Sequence, residues 1–104
     1  MALVVERHDS KTSRPEILGV GRLSKLHGSN EAEFALTISD QWQGRGLGTQ
    51  LLKMLVQVGR DEKLARITAT ILADNHEMQH VAKKADFAVH AEPGTHEYTA
   101  EIAL

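Results

Sequence analysis

Between residues 31 and 58 the apolar side chains change their spacing, and the change is made across a run of glycines. Ala32, Phe34, Leu36 and Ile38 alternate with Glu31, Glu33, Ala35, Thr37 and Ser39, the period of a half-buried strand. Leu47, Leu51, Met54, Leu55 and Val58 then recur at three and four, which predicts a helix from near Gly46 to near Asp61. The junction is Gln43-Gly44-Arg45-Gly46-Leu47-Gly48-Thr49. A strand that feeds a helix through such a loop confines the chain to a sheet with helices packed on it.

The rest of the chain fits that frame. Leu3 to Arg7 reads as a short β-branched strand, Asp9 to Pro15 as a polar turn, and Ile17 to Leu26 as a second strand. Gly19 and Gly21 mark positions of close approach or a bulge in that strand. His27-Gly28-Ser29-Asn30 makes a hairpin loop. Ile67 to Leu72 is another strand, and Asp74-Asn75 precedes a helical stripe of Met78, Val81, Ala82 and Ala85, in the place of a helix cap. Phe87, Val89 and Ala91 alternate, as do Tyr98, Ala100, Ile102 and Leu104 after a turn at Pro93-Gly94. The order is β-β-β-α-β-α-β-β, an α/β (α+β) mixed sheet in one domain over 1–104. With 104 residues, 41% hydrophobic and 25% charged, the chain can build one modest core with little margin.

Composition removes several functions. A net charge of −2 gives no basic footprint for nucleic acid. The absence of cysteine excludes disulfides, thiolate metal sites and a cysteine nucleophile. No apolar run approaches the roughly 18 residues of a membrane span. Met1-Ala2-Leu3-Val4-Val5-Glu6-Arg7 is charged too early for a signal peptide. A cytoplasmic setting without membrane or nucleic-acid partners is the expectation.

The glycine loop is the segment suited to chemistry. A helix start offers unpaired N–H groups and a partial positive charge, and glycines let that backbone approach a phosphate. Arg45 adds a charged donor. A pyrophosphate is the natural ligand, and a glycine turn that binds nothing is the competing reading. A phosphate-binding loop of the Gly-Lys-Ser/Thr kind needs a lysine where Gly48-Thr49 has none. A dinucleotide fingerprint needs different glycine spacing and a βαβ unit, whereas Gly44, Gly46 and Gly48 follow three strands read as a meander.

Gln43-x-x-Gly46-x-Gly48 resembles the Gln/Arg-x-x-Gly-x-Gly/Ala signature of the GNAT acetyltransferase superfamily, and it stands after a strand and before a helix as in that family. Asn75 through Phe87 resembles a second signature, an asparagine opening a helix that ends in Gly-Phe, with Asp86 here in place of the glycine. That departure is expected to alter the turn. Gly19-Val20-Gly21-Arg22-Leu23 and Glu31-Ala32-Glu33-Phe34-Ala35-Leu36 are similar to the acetyltransferase domain fused to ADP-forming acyl-CoA synthetases, a subgroup that acetylates protein lysines. The resemblance implies acetyl-CoA as cosubstrate, with its pyrophosphate on the amides of Gln43, Gly44, Arg45, Gly46, Leu47, Gly48 and Thr49. It implies pantetheine paired along Leu36 to Ile38, a strand N–H polarising the thioester carbonyl, and Asn75 touching CoA. It also implies a domain lacking the family's first strand and two helices, which wall the acceptor site. A non-catalytic acyl-CoA-binding or truncated module is the alternative.

An amine acceptor must lose a proton before it attacks, and a positioned carboxylate can take it. Glu33 lies on the polar face of the central strand, a position strand propensity disfavours, and it matches a glutamate that serves as base in the lysine-acetylating subgroup. The position of the family's tyrosine acid is Ala82, and Tyr98 stands on the last strand, so no tyrosine acid is expected. His76-Glu77-Met78-Gln79-His80 is also a His-Glu-x-x-His pattern, the mark of a zinc peptidase. Lys83 stands where the longer form of that pattern has glycine, and no metal is expected. Finally, Val4, Leu18 and Val20 would lie exposed beside a free sheet edge, and a homodimer is expected to cover them.

Overall fold

The computed structural model describes residues 1–8, 11 and 14–104. The expected turn over Asp9 to Pro15 falls largely on Asp9, Ser10, Thr12 and Ser13, outside the described residues. The elements are β1 (Ala2–His8), β2 (Pro15–Lys25), β3 (Glu31–Ile38), a single 3-10 turn (Asp40–Trp42), α1 (Leu47–Asp61), β4 (Arg66–Leu72), α2 (His76–Lys84), β5 (Ala88–Ala91) and β6 (Glu97–Ala103). This is the order read from the sequence. The strands form one sheet in the order β1-β2-β3-β4-β6-β5. Every neighbouring pair is antiparallel except β3 and β4, which run parallel.

Period-two alternation sorts β3 as expected. Ala32 and Phe34 are buried while Glu33 and Ala35 are exposed. Both helices pack on the face that Ala32 and Phe34 share, because residues of α1 and α2 join them in a single cluster with Ile67, Ile71, Phe87 and Ala100. Leu51, Leu52, Leu55 and Ile67 are fully buried. Phe34 and Phe87 meet edge to face at 5.2 Å between ring centroids, a favoured geometry for aromatic pairs.

The face of α1 is rotated from the expected stripe. Leu52, Val56 and Gly59 are buried with Leu51 and Leu55, whereas Met54 is 50% exposed. The helix lies across the sheet at close range. A Cβ on Gly21 of β2 would stand 3.0 Å from Leu51 Cγ and Leu55 Cδ1, and one on Gly19 would stand 2.8 Å from Ile38 Cδ1. The close-approach reading of both glycines therefore holds.

The bulge is next to them. The β1–β2 register slips between Val5, which faces Gly19, and Glu6, which faces Ile17. The slip leaves Leu18 as the extra residue, and Leu18 is 6% exposed. The expectation that Leu18 lies on the surface is corrected: a bulge breaks strict alternation, and it is Ile17 that is 56% exposed, with Val4 at 49%. Val20 is half-buried.

Helix α2 is fixed at both ends. Asn75 Oδ1 accepts a hydrogen bond from the Met78 N–H at 3.1 Å, capping the helix as expected. Gln79, absent from the expected stripe, is buried and donates to the carbonyls of Leu72 and Ala73 at 3.3 and 3.0 Å. At the other end the Phe87 N–H bonds to Ala82 O and the Asp86 N–H to Lys83 O, the paired bonds of a Schellman stop. Asp86 takes φ 71°. The turn expected to change is thus kept, and aspartate adopts the left-handed conformation at a cost of about 1–2 kcal/mol relative to glycine.

Strand pairing between β3 and β4 is brief. Only Glu31, Ala32 and Glu33 face Arg66, Ile67 and Thr68, although β3 continues to Ile38 and β4 to Leu72. Beyond Glu33 the two strands part, and the β4-facing edge of β3 from Phe34 to Ile38 has no ladder partner among the described residues. Both strands point their carboxyl ends into this opening, the position where open sheets place ligands.

Candidate functional site

The free edge of β3 forms one wall of a groove of about 320 Å³. Leu36, Thr37 and Ile38 of β3 line one side, Gln43, Gly44, Gly46, Gly48 and Thr49 close the end, and Asn75, Glu77, Met78, His80, Val81 and Lys84 supply the wall from α2. Trp42 stands at the mouth.

The end wall is built by backbone conformation. Gly44 and Gly46 take φ 75° and 82°, a region that favours glycine. Gly46 is the N-cap of α1 and brings no side chain to bond the first helical amides. The Gln50 N–H closes the first turn of the helix on Gly46 O at 3.1 Å. The amides of Leu47, Gly48 and Thr49 precede it and stand at the helix's positive end. Gly48 faces α2, where a Cβ would make ordinary van der Waals contact with Val81 Cγ2 at 3.4 Å.

The loop is braced from three sides. Gln43 Nε2 donates to Ile38 O and Asp40 Oδ1, both at 3.2 Å. The Arg45 guanidinium lies 4.9 Å from the Trp42 ring centroid, and Arg7 lies 5.2 Å from the same ring, both cation–π distances. The Gly44 N–H donates to Glu77 Oε1 at 3.3 Å.

Of the residues expected to hold a ligand, Leu36, Ile38, Gln43, Gly44, Gly46, Gly48, Thr49 and Asn75 line one groove. Arg45 and Leu47 do not: Arg45 stacks on Trp42, and Leu47 is half-buried at the helix start. Glu33 also lies outside the lining. It is exposed at the last paired step of β3, on the face away from the helices and about 10 Å along the strand from Leu36. Ala82 is fully buried, and Tyr98 sits opposite Ile71 and Ala91 in the sheet, so neither reaches the groove.

Sequence reasoning missed Trp42, Glu77, Met78, His80, Val81 and Lys84 as groove residues. The signal for the α2 set was helical spacing, since 77, 80, 81 and 84 share a side. The two histidines of the His-Glu-x-x-His pattern part company: His80 lines the groove and His76 a shallow depression with Asp74 and His96. Among the described residues no group of three His, Asp or Glu could hold a metal ion, and a catalytic zinc needs three protein ligands.

The groove offers helix amides with a partial positive charge at one end, an open strand edge with backbone donors and acceptors along one wall, and an apolar lining from Met78 and Val81 on the other. The model of the Acetyltransferase (GNAT) domain family matches residues 1–88. Acetyltransferase Pat of Mycolicibacterium smegmatis is 34% identical over 55 residues, 53% of this chain and 16% of that protein. The crystal structure of the GNAT domain of S. lividans PAT superposes with a TM-score of 0.76 at 25% identity, covering 86% of this chain and 55% of that one. The structure of yncA, a putative acetyltransferase from Salmonella typhimurium with its cofactor acetyl-CoA, gives a TM-score of 0.74 at 20% identity, over 85% of this chain and 58% of that one. The chain therefore spans little more than half the length of these solved structures and a small part of the curated relative.

Proposed function

The chain belongs to the GNAT acetyltransferase family, and from that premise we propose that it holds acetyl-CoA in the groove and moves the acetyl group to a primary amine of a protein lysine. The observation that carries the reading is the parting of β3 from β4 directly onto the glycine loop at the start of α1. The pyrophosphate lies on the amides of the loop from Gln43 to Thr49, that of Gly44 among them. The pantetheine amides pair with the free edge of β3, as an added strand would. An N–H on the Leu36 to Ile38 stretch donates to the thioester oxygen and stabilises the charge that develops there.

Transfer is direct. The acceptor nitrogen forms a bond to the acetyl carbon, the C–S bond breaks, and the sulfur leaves as thiolate. One proton leaves the ammonium before attack and passes through water to Glu33, whose distance from the groove requires a relay; the second leaves the nitrogen as the C–S bond breaks and goes to solvent, which also protonates the thiolate. The exposed face bearing Glu33 supports an acceptor that arrives from the side of the sheet opposite the helices. Lysine as acceptor rests on the resemblance to the domain fused to ADP-forming acyl-CoA synthetases.

Trp42 is the chain's one tryptophan and lines the groove, so ligand binding should be read directly in its fluorescence. Acetyl-CoA at micromolar to millimolar concentration is expected to shift that emission saturably and to raise the melting temperature. Transfer to a lysine peptide is expected to release free CoA thiol. An unchanged emission and melting curve at millimolar acetyl-CoA would sink the binding step. Binding without release of CoA thiol in the presence of any amine would favour a second reading, a non-catalytic acyl-CoA module, which the placement of Glu33 outside the groove supports.

The same reading includes a homodimer. Strand β1 stands at an edge of the sheet, and Val4 and Ile17 are exposed on β1 and β2. An open edge beside apolar side chains is a pairing surface. Light scattering at micromolar concentration is expected to give twice the chain mass; a stable particle of single mass contradicts it.

A further inference from the structure

The anion cradle at the end of the groove already holds a carboxylate. Glu77 Oε1 accepts the Gly44 N–H at 3.3 Å, on the loop where the proposed function seats a pyrophosphate. Glu77 is the only acid among the described residues that line the groove; the other ionisable side chains there are His80 and Lys84, on the same side of α2. The contact spans 33 residues of sequence, so it ties the glycine loop to α2.

We propose that Glu77 is an internal stand-in for the phosphate, a specificity-determining carboxylate that the ligand must displace. The inference rests on the acetyl-CoA reading above. The physical case is competition for one amide. Gly44 has a single N–H, and a phosphate oxygen and the Glu77 carboxylate cannot both take it at full strength. Once displaced, the carboxylate stays in the first turn of α2 and within reach of the incoming charge. Like charges a few ångströms apart repel even in an exposed site. Glu77 therefore holds the loop in its binding geometry while empty and opposes the phosphate when filled. The opposition acts only on ligands that carry the pyrophosphate. The thioester arm, lying along β3, is indifferent to it.

A merely structural account of Glu77 also exists, because an acid in the first turn favours a helix. The two accounts separate by experiment. Wild type, Glu77→Gln and Glu77→Ala are titrated with acetyl-CoA and with S-acetyl-pantetheine, which carries the same thioester arm without phosphates, using Trp42 fluorescence. Melting curves are recorded in parallel. Both variants are expected to bind acetyl-CoA about three- to tenfold more tightly, the scale of a screened like-charge contact, with S-acetyl-pantetheine unchanged. Glu77→Gln keeps an oxygen that can accept the Gly44 N–H and so isolates the charge. Equal or weaker acetyl-CoA binding by Glu77→Gln with an unchanged melting temperature overturns the proposal. So does an equal gain with both ligands, which would mark a general loosening of the groove. A wild type that binds neither ligand overturns the acetyl-CoA reading itself and this inference with it, an outcome distinct from either of the others.

Discussion

Replacing Gly46 by glutamate is expected to lower acetyl-CoA affinity at least about a hundredfold, close to 3 kcal/mol. Two effects add. Gly46 is the N-cap of α1 at φ 82°, where a residue with a Cβ costs about 1–2 kcal/mol. The new carboxylate then stands at the amides that receive the phosphate and meets like charge there. The fold is expected to survive, because a Cβ at Gly46 meets no atom within 4 Å. Gly46→Ala separates the effects: it bears the backbone strain without the charge and is expected to lose less affinity. Titration through Trp42, with urea unfolding of each variant, checks both. A Gly46→Glu protein that binds as the parent does would remove the loop from the ligand site.

Glu33→Gln is expected to lower kcat by about a hundredfold or more, the scale of general base catalysis, while the Kd for acetyl-CoA stays within twofold. The split follows from placement. Glu33 is outside the groove and exposed on the opposite face, so it touches no part of the bound cosubstrate. Single-turnover transfer to a lysine peptide, beside equilibrium binding, measures the two quantities separately. Parallel loss of both would assign Glu33 to the integrity of the β3–β4 junction, where it faces Thr68. An unchanged kcat would leave deprotonation to solvent or to a group on α2.

The sheet and its helices were legible because each depends on spacing along a single segment. Ala32 and Phe34 show their burial by alternation, and the glycine loop stands where the period changes. Asn75 was legible as a cap because the signal is local. What escaped reading depends on a second segment. The extra residue that turns Leu18 inward is decided by the register of β1 against β2. On α1 two overlapping ladders offer apolar residues, and only the packing of the helix against the sheet buries Leu52 and Val56 while leaving Met54 outside. The α2 wall of the groove escaped for the same reason. Glu77 and Lys84 look like solvated surface charges until the parting of β3 and β4 sets an opening beside them. Asp86 misled because residue type implied a change of turn, whereas the two hydrogen bonds that end α2 hold the backbone shape regardless.

The sheet's short central seam has a mechanical meaning. With three facing pairs between β3 and β4, the six strands are two three-stranded leaves hinged at one end, and α1 is the brace across them, since Leu52 and Leu55 share one cluster with Leu23 and Phe34 of the first leaf and Ile67 and Ile71 of the second. The brace starts at the glycine loop. A ligand seated along the open seam would stitch the leaves where hydrogen bonds are missing and grip the brace at its root. Filling the groove and fastening the two leaves to each other would then be a single event in this fold, because the same ligand would lie along the open seam and against the start of the brace.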